Sequence, residues 1–392
     1  MGPHVTTLLC VSASAAETER LLASGPRRDF VELARAVNGR IVYGGTGPSR
    51  KGLLGRIAGP HIKQSLAVSG QLRRGDVCFA DGEHVGIPLL AFLFARRRRR
   101  VRVVMLGHLV DRSWKRMLLG VTTRLVPNGT LVVHSQTQLD RIRGWVAKSW
   151  IVALVPYQVD TAYWAPESSE TPSELPIVPI VLAVGSENRD YDTLTQAAAG
   201  LPVQVVIAAG SHWARRTAGA THLPENVKYL DTPLPFAELR SAYTGAAIVV
   251  IPVHDVTNQS GVTVILEAMS MGKPVIVTAS RGQRECIAGP TVSADGRLDE
   301  CTTTSRGPQL FGDAAGEAAT GLYVPPNDAP ALRAAIKRLI EHPETGRELG
   351  AAAHHAAARH FSIERYVSTL AQLIEGPSVR CASATATGEP AL

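Results

Sequence analysis

The residues best suited to chemistry cluster in Asn258-Gln259-Ser260-Gly261-Val262-Thr263, with Glu267 a little further on. An apolar run, residues 246–252, precedes them, and another, 275–278, follows. Both runs read as buried strands. Gln259-Ser260-Gly261 is small and polar, as a helix entry requires, while Gly272 ends the helix and Pro274 keeps it from resuming. Such a helix turns free backbone N–H groups and the positive end of its dipole toward the crevice at the strand carboxyl ends, where a phosphate group fits. The plainer reading is one more βαβ unit with a solvated turn. Further candidates also follow strands: Asp81, Glu83 and His84, then Gly107-His108, then Gly185 and Arg189. The first three could orient a hydroxyl, although Asp81 is equally suited to cap a helix.

The elements that must position these groups alternate along the chain. Strands are expected at 5–11, 40–43, 76–80, 101–106, 124–126, 131–134 and 151–156, with helices at 30–37, 86–95, 111–119 and 135–145. Residues 44–59 are Gly-rich and basic and read as an exposed loop with room for a short helix. Residues 166–176 are rich in Pro, Ser and Glu and read as a linker. A second series follows, with strands at 178–184, 203–208, 227–230 and 248–253 and helices at 192–199 and 236–243. Residues 288–320 look like a long insertion, then helices are expected at 329–341, 344–360 and 361–374, and 376–392 reads as a disordered tail. The alternation predicts an α/β chain of two Rossmann-like, doubly wound parallel-sheet domains facing a cleft. The domains span 1–165 and 177–360, and the segment 361–375 returns to the first.

Composition narrows the class. Apolar residues form 45% of the 392, enough for large cores. Five scattered cysteines without a CxxC pair argue against a disulfide framework or a cysteine zinc site and suit a reducing cytoplasm. No signal-peptide pattern opens the chain and no apolar run is long enough to span a bilayer. Residues 1–165 hold 24 Lys and Arg against 10 Asp and Glu, a net of +14, while the rest carries −7. A basic half could meet an anionic membrane, a phosphorylated acceptor or nucleic acid. Nucleic acid has only charge behind it, without interleaved aromatics, and is not expected. The segment 111–119 mixes Arg112, Lys115 and Arg116 with Trp114, Met117 and Leu118, a basic amphipathic pattern suited to a membrane face.

Glu267-Ala268-Met269, Gly272-Lys273-Pro274-Val275, Gly321-Leu322-Tyr323-Val324-Pro325-Pro326-Asn327-Asp328, Arg347-Glu348-Leu349-Gly350 and Arg359-His360-Phe361-Ser362-Ile363-Glu364 occur in that order. With them the chain resembles the retaining GT-B glycosyltransferases of family 4, clearly over 177–374 and more weakly over 1–165. There Gly107-His108, His134-Ser135 and Val155-Pro156 fall where that family has markers. The resemblance implies transfer of a sugar from a nucleotide-diphosphate sugar to an acceptor hydroxyl with retention of configuration, without metal or other cofactor. It implies that Glu267 holds the donor ribose, that Ser260, Gly261, Val262 and Thr263 receive the diphosphate, and that Gly185 and Arg189 flank it. His108 would contact the donor sugar near the anomeric centre, and Asp81, Glu83 and His84 would face the acceptor.

Two positions depart from the family pattern. Gln259 stands where it has a carboxylate, and Ser186 where it has an arginine. An amide can hydrogen-bond sugar hydroxyls but cannot serve as base or anionic nucleophile. The acceptor could be a glycan, a lipid-linked sugar or a small molecule. The location implied is cytoplasmic, with peripheral contact at the inner membrane face as an option. A sugar-nucleotide epimerase of the same architecture and a degenerate sugar-nucleotide-binding scaffold are the alternatives. Asp190-Tyr191-Asp192 has metal-binding Asp-x-Asp spacing, but its loop position in a tandem α/β chain speaks against a metal.

Overall fold

The structure is a computed structural model that describes residues 5–44, 60–110, 112–166, 178–210, 223–230, 232–299 and 318–376. The loop at 45–59, the linker residues 167–176, the 300–317 part of the insertion and the tail from 377 lie outside the described residues.

Six parallel strands form the first sheet: β1 (Thr7–Val11), β2 (Arg40–Tyr43), β3 (Val77–Ala80), β4 (Arg102–Leu106), β5 (Gly129–Val133) and β6 (Trp150–Leu154). Their order is β2-β1-β3-β4-β5-β6. Helices α1 (Ala15–Leu22), α2 (Asp29–Ala36), α3 (Pro60–Gln71), α4 (Glu83–Ala95), α5 (Ser113–Leu125) and α6 (Gln136–Ile142) connect them. The second sheet contains β7 (Ile180–Val184), β8 (Gln204–Ala208), β9 (Val227–Leu230), β10 (Ile248–Ile251), β11 (Val275–Thr278), β12 (Thr291–Val292), β13 (Leu298–Asp299) and β14 (Leu322–Val324). Its order is β13-β12-β14-β11-β10-β7-β8-β9, parallel except for the β12–β13 pair. Helices α7 (Tyr191–Ala198), α8 (Phe236–Gly245), α9 (Val262–Ser270), α10 (Ala329–Glu341), α11 (Pro343–His360) and α12 (Ile363–Glu375) complete the chain.

All four residues of β3, of β10 and of β11 are buried, because helices cover both faces of these sheets. Strand order reverses between β1 and β3 in one sheet and between β7 and β10 in the other. The crevice outside strand carboxyl ends at such a reversal is where α/β folds bind ligands. Asp81 follows β3, and Gly185 and residues 258–261 follow β7 and β10, so the topology delivers these candidates to the crevices.

Three expectations are corrected. No strand forms at 124–126, because α5 runs to Leu125 with the Thr122 and Thr123 hydroxyls bonded to carbonyls four residues back. The unexpected α3 buries Gln64, Ser65, Val68, Ser69 and Leu72, so its inward face is largely polar and shows no apolar period. Gln64 Nε2 donates to the carbonyls of Val11 and Val42, which gives that polar face its purpose. The start of the presumed insertion is not a loose loop but a hairpin, β12–β13, added to the sheet beside β14.

Helix α12 packs against α2, and Ile363, Tyr366, Val367, Leu370 and Ile374 share a core with Leu9, Leu33, Phe79 and Val104. Residues 361–363 also exchange backbone hydrogen bonds with Val159, and Arg27 pairs with both Asp160 and Glu364. The C-terminal helix is thus part of the first sheet's core. Leu370→Ala should lower stability by about 2–5 kcal/mol, because a fully buried side chain leaves a cavity. Urea unfolding would show this as a lower midpoint at unchanged slope, and an unmoved midpoint would mean that α12 is dispensable.

Candidate active site

The second sheet places the N-terminus of α9 at the crevice. Gly261 caps α9 at φ +86°, in the left-handed region, and no side chain caps the helix. A Cβ on Gly261 would meet Ile251 Cγ2 at 2.8 Å and the Arg189 guanidinium at 3.2 Å, so glycine is required there. The first-turn amides have no helical acceptor, and Gly261, Val262 and Thr263 line a cavity of about 290 Å³. Ser260 lies 2% exposed behind this turn, where its hydroxyl accepts from Asn188 Nδ2 at 2.8 Å and Asn258 Nδ2 at 3.0 Å. It braces two loops rather than offering itself to a ligand.

Arg189 is buried beneath the same turn. Its Nε donates to the Val184 carbonyl at 3.0 Å and its Nη1 to the Glu187 carbonyl at 2.9 Å. Among the described residues it forms no ion pair, and burial lowers its pKa from the usual arginine value. Gly185, at φ +95°, lets the guanidinium approach, since a Cβ there would stand 2.7 Å from Nη2. Arg189 does not line the cavity, so any influence on a ligand there is through its field. Glu187 does line it and adds negative charge at the rim. Asp190, from the Asp-x-Asp pair, caps α7 by accepting from Thr193 N and Oγ1. Among the described residues no group of three or more His, Cys, Asp or Glu is placed to hold a metal ion.

The first sheet supplies the opposite wall of the cavity: His108, Leu109, His134, Gln138 and Tyr157. His108 Nε2 lies 2.8 Å from the Asp81 carbonyl, so Nε2 carries a proton and donates to it. The His108 backbone N–H donates to Glu83 Oε2 at 3.0 Å, and Gln138 Nε2 donates to the His108 carbonyl at 2.7 Å. Glu83 also binds Lys115 Nζ and is 3% exposed. Lys115 holds its carboxyl below the usual range, against burial, the larger influence. Asp81 accepts from the backbone and hydroxyl of Ser12, across β1 and β3. Asp81 Oδ2 and Glu83 are engaged within the first half, where they hold the strand ends and the His108 backbone, while Asp81 Oδ1 is buried without a partner among the described residues. His84 is exposed in the first turn of α4 beside His61, their ring centroids 4.6 Å apart, and does not line the cavity.

Sequence reasoning gave no role to four residues that shape the site. His134 is stacked on His108 at 5.6 Å and donates from Nδ1 to the Val155 carbonyl at 2.9 Å. Its Nε2 is buried with no partner, and burial pushes its pKa down to about 3, so the ring is neutral. Tyr157 packs edge-on against His134 at 5.0 Å. Gln138 secures His108. Glu285 accepts from Gln259 Nε2 at 3.1 Å and from the Gln136 backbone N–H at 2.7 Å, joining the two halves across the cleft. Gln259 Oε1 is left buried and unpartnered, and the residue lines the cavity. No local motif marks Glu285, whose partners lie 26 and 149 residues away.

Glu267 lies further along α9, outside the cavity lining. Its Oε2 accepts from the buried Tyr243 hydroxyl at 2.9 Å. Burial raises its carboxyl to about 7, opposed by that hydrogen bond and by the charge of Arg28.

Residues 178–342, the part that carries α9 and its N-terminal turn, match the glycosyl transferases group 1 family. No curated protein matches the chain. Sucrose-phosphate synthase from Thermosynechococcus elongatus is 19% identical at a TM-score of 0.67, covering 94% of this chain and 98% of its own. HepE of Anabaena, solved with UDP and glucose, is 15% identical at 0.61, again covering 94% and 98%. The E. coli trehalose-6-phosphate protein bound with UDP-2-fluoro glucose is 11% identical at 0.62, covering 93% and 98%. The chain has the GT-B fold of the nucleotide-sugar glycosyltransferases.

The raised Glu267 pKa has a consequence for stability. The folded state holds this proton more tightly than the unfolded chain does. The contribution is therefore full below the ordinary carboxylate pKa and is lost as pH rises through about 7. Compared with Glu267→Gln, the wild type should lose melting temperature between about pH 5 and 8. Paired thermal melts would check this, and parallel curves would show that Glu267 already ionises normally.

Proposed function

We propose that the chain is a retaining glycosyltransferase that moves a sugar from a nucleotide-diphosphate sugar to an acceptor hydroxyl. The observation that carries this reading is one cavity bounded on one side by the uncapped N-terminus of α9 and the free Gln259 Oε1, and on the other by His108 and neutral His134. The α9 amides and the field of Arg189 receive the diphosphate and stabilise charge as it leaves. Gln259 Oε1 and His108 accept hydroxyl hydrogen bonds from the sugar, and Glu267 takes the ribose. Residues 177–360 serve the donor, and the basic half, 1–165, serves the acceptor.

Gln259 lacks a nucleophilic oxygen anion, and Glu285 is held behind it by Gln259 and Gln136. A double displacement on either residue is therefore not the favoured course. In the front-face course, the C1–phosphate bond breaks as the acceptor oxygen bonds C1 from the same side. The acceptor proton passes to the leaving phosphate oxygen. Positive charge at the phosphate comes from the protein, so turnover should persist in EDTA. The titration that reveals the donor is thermal stabilisation by a panel of nucleotide sugars, followed by NMR of the product's anomeric configuration. An inverted product, or no stabilisation by any nucleotide sugar, would overturn the reading.

Two substitutions test the assigned roles. Arg189→Met should raise the donor KM at least about tenfold, since it removes the only charge beneath the diphosphate turn described here. An unchanged KM would make Arg189 purely structural. Gln259→Glu sets a second carboxylate against Glu285 and should cut kcat/KM by about tenfold or more. Adding Glu285→Gln should then recover activity, because the pair again shares one charge; a double variant as poor as the single one would refute the pairing.

A further inference from the structure

Helix α5 has two unlike faces. Leu119, Thr122 and Thr123 point into the first half and are buried. Trp114, Met117, Leu118 and Val121 recur at helical spacing on the other side, and Trp114, Met117 and Val121 are 56%, 57% and 53% exposed. Trp145, 43% exposed, adjoins them. The Arg116 guanidinium lies 5.1 Å from the Trp145 ring, and Arg124 Nη1 reaches the Trp145 carbonyl at 3.3 Å. The helix and the segment after α6 thus form one continuous surface. Residues 112–149 contain seven Lys and Arg against one acidic residue, Asp140, whose carboxylate accepts from Gln136. Arg112, Arg124, Arg143 and Lys148 are exposed around the apolar stripe.

We propose that this face docks on a bilayer bearing anionic lipid headgroups. An apolar stripe rimmed by cations, with two tryptophans at its margin, is the arrangement of a helix that lies in the membrane interface. The headgroups supply the negative charge that the rim lacks among the described residues. A second copy of the chain is a poor occupant, since a self-complementary contact would set cations against cations. The face adjoins the cleft: α5 begins just after His108, and Lys115 on α5 binds the Glu83 that holds the His108 backbone. Docking would keep the cleft at headgroup level, where a hydroxyl on a lipid-borne acceptor lies. That last step rests on the proposed reaction, but the docking does not.

The test is flotation of the full chain with phosphatidylcholine vesicles, with and without phosphatidylglycerol, at low and high salt. The expected result is co-flotation with the anionic vesicles, falling at least about tenfold on neutral vesicles or at high salt. W114S/M117S and R143E/K148E should each weaken binding by about tenfold or more without altering the melting temperature. If W114S/M117S proves unstable, R143E/K148E carries the test, because its side chains are exposed. No flotation of the wild type with anionic vesicles, or wild-type binding by folded variants, would overturn the proposal. So would a wild-type dimer in sedimentation that the variants dissolve, which would assign the face to self-association, or capture by an acidic protein with no vesicle binding. Because vesicle binding is read without substrate, its failure leaves the proposed transferase activity untouched, and failure of that activity leaves the docking standing.

Discussion

A buried guanidinium that forms no ion pair among the described residues organises the second half of this protein. Arg189 lies against Gly185 and Gly261, the two left-handed turns that follow β7 and precede α9. Removing a charge from water costs several kcal/mol, and here backbone carbonyls of Val184 and Glu187 offset part of it. On the proposed reading, a bound diphosphate would supply the rest. The positive end of α9 and the guanidinium point their fields at the same turn, so each makes the other's position less favourable until an anion arrives. The two glycines follow from this arrangement, because any Cβ at either position would run into Arg189. So does the strand order, because only the reversal between β7 and β10 brings both loops to one crevice.

The two halves meet through polar groups and through an apolar seam in which Val159 and Trp164 join the core of the second sheet. Glu285 spans the cleft from Gln259 to the first residue of α6, and Thr137 on that helix donates to the Arg281 carbonyl. Arg28 sits over Phe236 at 5.7 Å, and Arg240 Nη1 donates to the Tyr163 carbonyl at 3.5 Å. The polar contacts among them are directional and fix how the halves face each other. Placing the anchor of Gln259 on the same carboxylate that grips Gln136 means that the amide is fully oriented only when the halves are together.

Much of this was legible in the sequence, for a physical reason. Parallel strands buried on both faces are unbroken apolar runs, so β3, β10 and β11 stand out, and Gly272 with Pro274 ends α9 where the chain must turn back. Helix α3 was not legible, because its buried face carries Gln64, Ser65 and Ser69: Gln64 bonds strand carbonyls of Val11 and Val42, Ser65 bonds Val85 of α4, and Ser69 bonds back to Leu66. Residues 124–126 misled because β-branched and apolar residues there extend a helix whose threonines bond back along it. At the site, the α9 turn was visible as a motif. The spacing showed where Asp81, Glu83 and Ser260 fall in the chain but not what they face: each is taken up by a partner distant in sequence. Glu285 and the free nitrogen of His134 depend wholly on the tertiary fold and leave no trace in spacing.

The first half shows how a surface can be tied to chemistry without touching it. Lys115 is the one cation of α5 that turns inward to a carboxylate, and that carboxylate, Glu83, is 3% exposed and also accepts the His108 backbone N–H. An ion pair at this depth persists only while both partners hold their geometry, since removal of either strands the other without water. The position of α5 and that of His108 are therefore set together. Three residues beyond the inward lysine, α5 presents Leu118 outward, so one helix faces the cleft support on one side and solvent on the other. The polar ties at Glu83 then explain why the helix tolerates so apolar an outer surface: its register is fixed from within, and the outer face is left free to match whatever it meets.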